Sequence, residues 1–398
     1  MLDKFLHLEK SIAVLQKSSA WKYLRIRLYN NFYHPVSFKK RHNQSNFLKK
    51  TFQQSIFFRL RNLTFNKIVI THPRVSNCQN EYFCKYTDNH IDDTTLVIGY
   101  SDKLVKSPYN NIISMGVLKL FVRLFLPLFI IKSIKEIIHL NKQLNNEETT
   151  PNKISFSILE TLRLSQSYSL EYLFRFLLIM LRVKKVYATV AYGDDVYPCL
   201  VACRKQNIVF TEIQHGVIDL NHFGYVYSEK QILSGYFPQN MLVWSKYWID
   251  KIRIKNYINF GFTNPKYCIS QELVEIKNRI LIIGQAHVQE ELLRIATKII
   301  NQTGDYFNIL YRPHPSELSF SSELNIEVDK NKLEESLQTT EYVLGVDSTV
   351  LIEAAHFNLK VVQYCLKNSY NYSDYENIVT FDHHEDIVNY FKNISSTY

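Results

Sequence analysis

Short apolar runs, rich in β-branched residues and ending in polar exits, recur along this chain with helical stretches between them. Lys67 to Thr71 (KIVIT) and Thr94 to Tyr100 (TTLVIGY) have the length and composition of buried strands. From about Ile112 to Leu144 the apolar positions predict helices. The polar stretch Glu147 to Asn152, with Pro151, predicts a loop, and a further helical stretch runs from Ile154 to Arg182. Lys185 to Ala191, a short helix from Tyr197 to Arg204 and Ile208 to Ile213 then read as strand, helix, strand. That order is a parallel crossover unit, whose loops leave on one edge of the sheet. A second series begins at Met241 to Trp244 and continues through Tyr257 to Gly261, Arg279 to Gly284 (RILIIG), a helix from Val288 to Asn301, and Phe307 to Tyr311 (FNILY). Asn325 to Val328, Tyr342 to Gly345 and Val361 to Tyr364 complete it. The pattern predicts two doubly wound α/β domains, with residues 1–63 as an extension packed on or part of the first, 64–235 as the first domain and 236–398 as the second.

Length supports this division, because 398 residues exceed what one hydrophobic core usually organises. Apolar residues at 46% and charged residues at 21% exclude a mostly disordered chain. The net charge of +10 is concentrated in the first 63 residues, where thirteen Lys and Arg face only Asp3 and Glu9. Interleaved with Trp21, Tyr23, Tyr29 and Phe32, this basic and helical head suits an anionic membrane surface, an acidic glycan or nucleic acid, or else is a solvated helix face. The six cysteines show no CxxC pairing and no accompanying histidine pattern, so reduced core thiols of a cytoplasmic protein are expected, with no metal site.

The start of the chain carries no signal-peptide pattern, since Glu9, Lys10 and Lys17 interrupt its apolar stretch. Ile112 to Ile134 is broken by Lys119, Arg123 and Pro127, leaving less than the roughly 20 apolar residues a span requires. Lys119 and Arg123 share a helical face with Leu118, Phe121, Val122, Phe125 and Leu126 opposite, and Leu170 to Val183 is a second amphipathic segment. Both are core helices or helices lying on the inner face of a membrane.

Three strand exits carry the candidate chemistry. Arg312-Pro313-His314-Pro315 follows FNILY, and the two prolines stiffen the turn that holds His314. Arg312 and His314 are donors suited to phosphate oxygens. Asp347-Ser348-Thr349 follows Tyr342 to Gly345 and opens a helix from Val350 to Phe357, with Asp347 or Ser348 as its N-cap. The first-turn amides there attract phosphate, and Glu353, one turn inside on the face of Thr349, suits ribose hydroxyls. Glu212-Ile213-Gln214-His215-Gly216 ends the strand Ile208 to Ile213. A neutral His215 there can take a proton from an acceptor hydroxyl, Glu212 is expected to share its face and orient it, and Asp194 and Asp195 are rival bases. Gln214 and Gly216 fall on the acceptor side. Gly284 and Gln285 follow RILIIG, where a glycine lets a phosphate approach the backbone. No Walker loop, GxSxG elbow, HExxH or kinase signature is present.

The strings TEIQHGVI with His222 and Tyr225, then MLVWSKYW, RILIIGQ, YRPHPSE and DSTVLIEAAHFNLKVV, in that order, resemble the GT-B glycosyltransferases of bacterial capsule, lipopolysaccharide and teichoic-acid assembly. The likeness covers about residues 185 to 366 and is nearest to enzymes with cytidine-nucleotide donors, the Kdo and sialic-acid transferases and the CDP-polyol phosphotransferases. It implies two Rossmann-like domains facing a cleft, donor phosphate on His314, Ser348 and Thr349, ribose on Glu353, and His215 near the acceptor. Two departures stand out. Asn358 occupies a position where glycine often precedes the Lys-Val-Val strand, and the acidic base motif of several sialyltransferases survives only as Gly193-Asp194-Asp195. The expectation is a metal-independent glycosyltransferase without cofactor, moving Kdo or another acidic sugar from a CMP donor to a surface glycan or lipid-linked glycan. The alternatives are a CDP-polyol phosphotransferase, a transferase using UDP- or GDP-sugars, a hydrolysing sugar-nucleotide epimerase, and a non-enzymatic glycan- or nucleic-acid-binding protein. Nucleic acid is not an expected partner, and an anionic membrane surface is.

Overall fold

The buried β-branched runs pair as parallel strands in two separate sheets, each covered by helices. In this computed structural model residues 6, 9, 20–25 and 29 of the first 56 are described. From residue 57 onward all are described except 62–63, 79, 146–155, 157, 219, 221, 230–231, 233–234, 267–275, 286–287, 315–325, 367–370, 374, 376 and 398. The expected loop Glu147 to Asn152, Pro315 and the basic run Lys39, Lys40, Arg41, Lys49 and Lys50 lie outside the described residues. Two compact units divide between Lys266 and Tyr267.

The first unit contains β1 (Phe58–Arg59), β2 (Lys67–Ile70), β3 (Ser76–Cys78), β4 (Glu81–Phe83), β5 (Thr95–Gly99), β6 (Ile112–Ser114), β7 (Lys185–Ala188), β8 (Val209–Ile213), β9 (Asn240–Val243) and β10 (Asn259–Phe262). Eight of these make one sheet in the order β1-β6-β5-β2-β7-β8-β9-β10, parallel except for the edge pair β1–β6, while β3 and β4 form a separate antiparallel hairpin. Winding runs outward from β2 to β6, then returns past β2 to β7 and continues to β9.

The second unit contains β11 (Arg279–Ile283), β12 (Asn308–Arg312), β13 (Glu327–Val328), β14 (Tyr342–Gly345), β15 (Lys360–Tyr364) and β16 (Ile378–Phe381). All are parallel, in the order β13-β12-β11-β14-β15-β16. The winding is the same, outward from the first strand and back past it. The chain is thus α/β, with two Rossmann-like doubly wound units in succession as in the GT-B class.

The expected boundary at 235/236 moves. β9 pairs in register with β8, Thr211 opposite Asn240 and Ile213 opposite Leu242, and β10 pairs with β9, so both extend the first sheet. The strands Met241 to Trp244 and Tyr257 to Gly261, expected to open the second series, therefore extend the first sheet. Asn358, the departure from glycine, has a φ of +57°. It follows the helix Thr349–His356, where Asn358 N donates to Ala355 O at 3.0 Å and Leu359 N to Ala354 O at 3.2 Å. This is a Schellman ending, and asparagine is the residue that best replaces glycine in its left-handed position.

The described part of the head lies inside the first unit. Ala20, Trp21 and Leu24 are buried in its core with Ile68, Ile98, Leu118, Val122 and Phe174. Leu118 and Val122 therefore belong to the core, and Lys119 pairs with Asp195 at 2.6 Å. The helix Met115–Asn145 continues past Pro127 and packs on the helix Ile158–Met180. Among the described residues no helix is long and apolar enough to cross a membrane. Cys84, Cys199, Cys203 and Cys365 are free and buried.

Arg25 is buried without being isolated. Its Nε and Nη2 meet the two carboxylate oxygens of buried Glu9 at 2.5 and 3.1 Å, and Trp21 Nε1 donates to Glu9 at 3.1 Å. The remaining guanidinium protons reach Val226 O at 2.6 Å and Phe223 O at 3.3 Å, while the planar cation lies over the rings of Phe223 and Tyr227. Removing one member leaves a buried charge unpaired. Arg25→Met is expected to lower the unfolding free energy by roughly 3 to 5 kcal/mol and to deprotect the Phe223–Tyr227 amides in hydrogen exchange, with Glu9→Met in the same chain restoring part of the stability. Urea unfolding checks the energies; unchanged exchange at those amides would separate Arg25 from the loop.

Candidate functional site

In each unit the residues of interest collect where the winding reverses, at the carboxyl edge of the sheet. In the first unit this is where β2 and β7 diverge. β2 exits through Thr71 into His72, β7 through Thr189 to Tyr192, and β8 through Gln214 into His215. The rings of His72 and His215 stack with centroids 5.3 Å apart, and Tyr86 meets His72 edge-on at the same distance. His72 Nδ1 accepts from Arg74 N at 3.1 Å, which leaves the ring proton on Nε2. His215 Nδ1 is buried with no hydrogen-bond partner among the described residues.

Burial, aided by Arg74 and Lys85, pulls His72 down to about 4. Burial, with His72, His222 and Arg74 adding positive charge, pulls His215 down to about 3. Both rings are neutral at physiological pH.

Glu212 behaves in the opposite sense. Its carboxyl is buried, Oε1 accepts from Ala191 N and from Tyr225 Oη, both at 2.9 Å, and Oε2 has no partner among the described residues. Burial pushes its pKa up to about 7, against the pull of those two donors. Glu212 does not orient His215: the odd spacing of three puts them on different sides of the strand path, and the carboxyl serves the β7 exit and Tyr225 instead. Val190 in that exit has a φ of +54°, a backbone conformation that costs a β-branched residue about 1 to 3 kcal/mol and that Gly193 N secures by donating to Val190 O at 2.8 Å.

The other expected residues of this unit divide by geometry. Asp195 is held by Lys119, and Asp194 is exposed. Gln214 is buried; its Oε1 accepts from Trp244 N at 2.9 Å and its Nε2 donates to Gly216 O at 3.0 Å, so it joins the β8 and β9 exits and fixes Gly216 rather than facing an acceptor. His222 and Tyr225, met only as part of the family likeness, belong to the site. Tyr192 Oη lies 3.4 Å from His222 Nε2, and the His222 and Tyr225 rings are 4.8 Å apart. Gly224 lies against Tyr192, whose ring would stand 2.3 Å from any Cβ there. Tyr29 stacks on Phe223 at 3.9 Å, which with Arg25 fastens this loop to the head. His72 carried no sequence signal beyond a polar exit after β2. Among the described residues no group of three or more His, Cys, Asp or Glu is placed to hold a metal ion.

In the second unit the reversal lies between β11 and β14. Gly284 is buried, and its N donates to Arg312 O at 2.8 Å, extending the β11–β12 ladder. Gln285 Oε1 accepts from Asp347 N at 3.1 Å, tying the two diverging exits together. Ser348 is the N-cap of the helix Thr349–His356, its Oγ accepting from Val350 N at 3.2 Å. Gly284, Gln285, Ser348 and Thr349 are thus brought to one reversal, and Glu353 is buried one turn inside the capped helix. Arg312 and His314 leave from the adjacent strand β12. Arg312 Nη1 is committed to buried Asp329 at 2.5 Å and to Asn331 O at 2.9 Å, so this end of the expected phosphate fork serves the β12–β13 edge. His314 is exposed.

The sequence matches no family model and no curated protein. Among solved structures, the UDP-GlcNAc 2-epimerase from Methanocaldococcus jannaschii is 11% identical over 84% of this chain and 92% of its own, with a TM-score of 0.46. The corresponding epimerase from Rickettsia bellii is 11% identical over 84% and 88%, at 0.44. The glycotransferase of kitacinnamycin is 9% identical over 84% and 91%, also at 0.44. Likenesses this weak say nothing of substrate or activity, and the fold class rests on the two strand orders.

The shifted groups set a pH dependence with a definite sign. Glu212 has a folded pKa of about 7 against an ordinary 4.5, so it is protonated in both states at low pH and opposes folding above pH 7 by roughly 3 kcal/mol. Glu212→Gln, which keeps an acceptor for Ala191 N and Tyr225 Oη, is expected to gain up to that amount above pH 7 and almost nothing below pH 4.5. His72 and His215 act on the acid side: the unfolded chain binds their protons first, so stability falls as pH drops from about 6.5 toward 4. Urea unfolding across this range measures both limbs; a pH-independent offset for Glu212→Gln would place its carboxyl in the ordinary range.

Proposed function

We propose that this chain is a glycosyltransferase that moves a sugar from a nucleotide donor to a glycan acceptor hydroxyl. The observation that carries the reading is the second unit's reversal point, where a serine-capped helix N-terminus stands beside the exit of β11, and exposed His314 leaves from the next strand, β12. Helix amides and an imidazole donor are suited to the phosphate that departs in glycosyl transfer. Buried Glu353 is placed one turn inside the same helix, in keeping with a ribose contact.

In this reading the acceptor oxygen gives its proton to a base, forms a bond to the anomeric carbon, and the bond from that carbon to the phosphate oxygen breaks with the electron pair leaving on the nucleotide. His215 is the proposed base: it stands at the exit of β8 and is neutral at physiological pH. A ring so reluctant to charge needs an anion beside it to share the proton's charge. Glu212 is a positioning residue, since its bonds from Ala191 N and Tyr225 Oη fix loops. Asp195, paired with Lys119, drops behind His215 as a base.

The preference for a CMP-linked acidic sugar rests on the sequence resemblance alone, as do the surface glycan or lipid-linked acceptor and the site on the inner face of a membrane. Thermal shift against CMP, CDP, UDP and GDP tests the donor directly. One nucleotide is expected to stabilise the parent by about 2.7 kcal/mol at a hundredfold excess over its Kd, and His314→Ala to remove most of that increment. Ser348→Ala also loses an N-cap worth about 1 kcal/mol, so the nucleotide-induced increment is the readout and not the absolute Tm. Stabilisation by none of the four, or an undiminished increment in His314→Ala, would remove the assignment. A phosphodiester in the product would make the enzyme a polyol phosphotransferase, and free sugar without acceptor a hydrolysing epimerase.

A further inference from the structure

The two longest helices of the first unit, Met115–Asn145 and Ile158–Met180, carry an outward face unlike that of an ordinary water-facing helix pair. Leu124, Leu128 and Ile131 are 71%, 69% and 64% exposed on the first helix, at spacings of three and four that keep them on one stripe. On the second helix Phe176 is 52% and Ile179 64% exposed, with Tyr172 between that stripe and the first helix. The Tyr172 ring lies 5.4 Å from Phe125 and 6.1 Å from Phe129, so the two stripes join side by side into one apolar ridge. A helix of this length runs roughly 45 Å, which makes the ridge a long surface and not a spot.

The charges on these helices are sorted. Their three acids are all turned inward and engaged: Glu136 accepts from Ala20 N and Tyr168 Oη, Glu160 pairs with Arg163, and Glu171 with Tyr23 and Lys205. Among the described residues no acidic side chain is exposed on either helix, whereas Lys132, Lys135, Lys142 and Arg175 are. Lys132 leans over the Tyr168 ring at 4.1 Å, keeping its cation beside the ridge.

We propose that this ridge docks on an anionic lipid bilayer, the helices lying in the interface with the apolar stripe in the headgroup and acyl boundary and the lysine and arginine fringe against lipid phosphates. Charge complementarity selects this occupant. A twofold contact between copies would set the same basic fringe against itself, while an anionic bilayer meets apolar stripe and fringe together. Of the two membrane-facing candidates in the sequence, the basic head and the two amphipathic helices, the docking surface is therefore the helix pair.

Flotation of the full chain with phosphatidylcholine vesicles, with and without phosphatidylglycerol, tests this. Binding is expected only with phosphatidylglycerol, and to weaken with added salt. Leu124→Gln with Leu128→Gln is expected to reduce partitioning about tenfold or more, and Lys135→Gln or Arg175→Gln about fivefold each. All four positions are exposed, so the fold is retained, and circular dichroism and the urea midpoint verify that. Three outcomes would overturn the proposal: no binding to anionic vesicles, equal binding to both vesicle types, or variants that partition like the parent. A lipid-free dimer in light scattering that Leu124→Gln with Leu128→Gln converts to monomer would also overturn it, making a second copy the occupant.

Discussion

Reversal of the winding, at β2 in the first sheet and at β11 in the second, is the constraint from which both candidate sites follow. In the first sheet the chain leaves β2 toward the β3–β4 hairpin and β7 toward the helix Tyr197–Lys205, and the loops between those exits part. β11 and β14 do the same in the second. A gap so formed exposes backbone N–H groups that no further strand can satisfy. At several strand exits a Glu or Gln side chain takes a stray loop amide. Glu212 takes Ala191 N, Gln214 takes Trp244 N, Gln285 takes Asp347 N, and Gln363 takes Tyr372 N. Placement of His72, His215 and Ser348 is thus set by strand register and these bridges, with little left to loop conformation.

Burial outweighs charge in the first unit's site, and that decides its protonation. Two imidazoles are driven neutral, with Arg74 and Lys85 adding to burial at His72, and one carboxyl is held partly protonated near neutral pH.

Much of this was legible in sequence because it is local. Strand runs, polar exits and the Ser348 cap are written in consecutive residues, and the Asn358 departure is resolved by a left-handed φ that asparagine tolerates. What escaped was non-local. Nothing in MLVW distinguishes a closing strand of one sheet from an opening strand of the next; only pairing with β8 does. Asp195 read as a free acid because its partner Lys119 lies 76 residues away. His72 was invisible because its significance comes from the His215 ring stacked on it. Glu212 was misread through strand spacing, an error that the Ala191 and Tyr225 bonds correct.

The head shows how composition misleads when charge is counted without its partners. Arg25 contributes to the basic total, yet its cation is spent inside the protein on Glu9, Phe223 O and Val226 O. Lys22 lies 2.9 Å from the centre of the Tyr236 ring, and burial together with Lys205 lowers it to about 8. Two of the thirteen basic residues are thereby structural, holding the loop of His222 and Tyr225 and the wall beside it. Excising the head would therefore remove core and site together, and loss of binding in such a truncation could not distinguish a surface-binding head from a collapsed active site. Point changes on the exposed helix ridge avoid that ambiguity, because Leu124 and Arg175 face solvent while Trp21 and Arg25 do not.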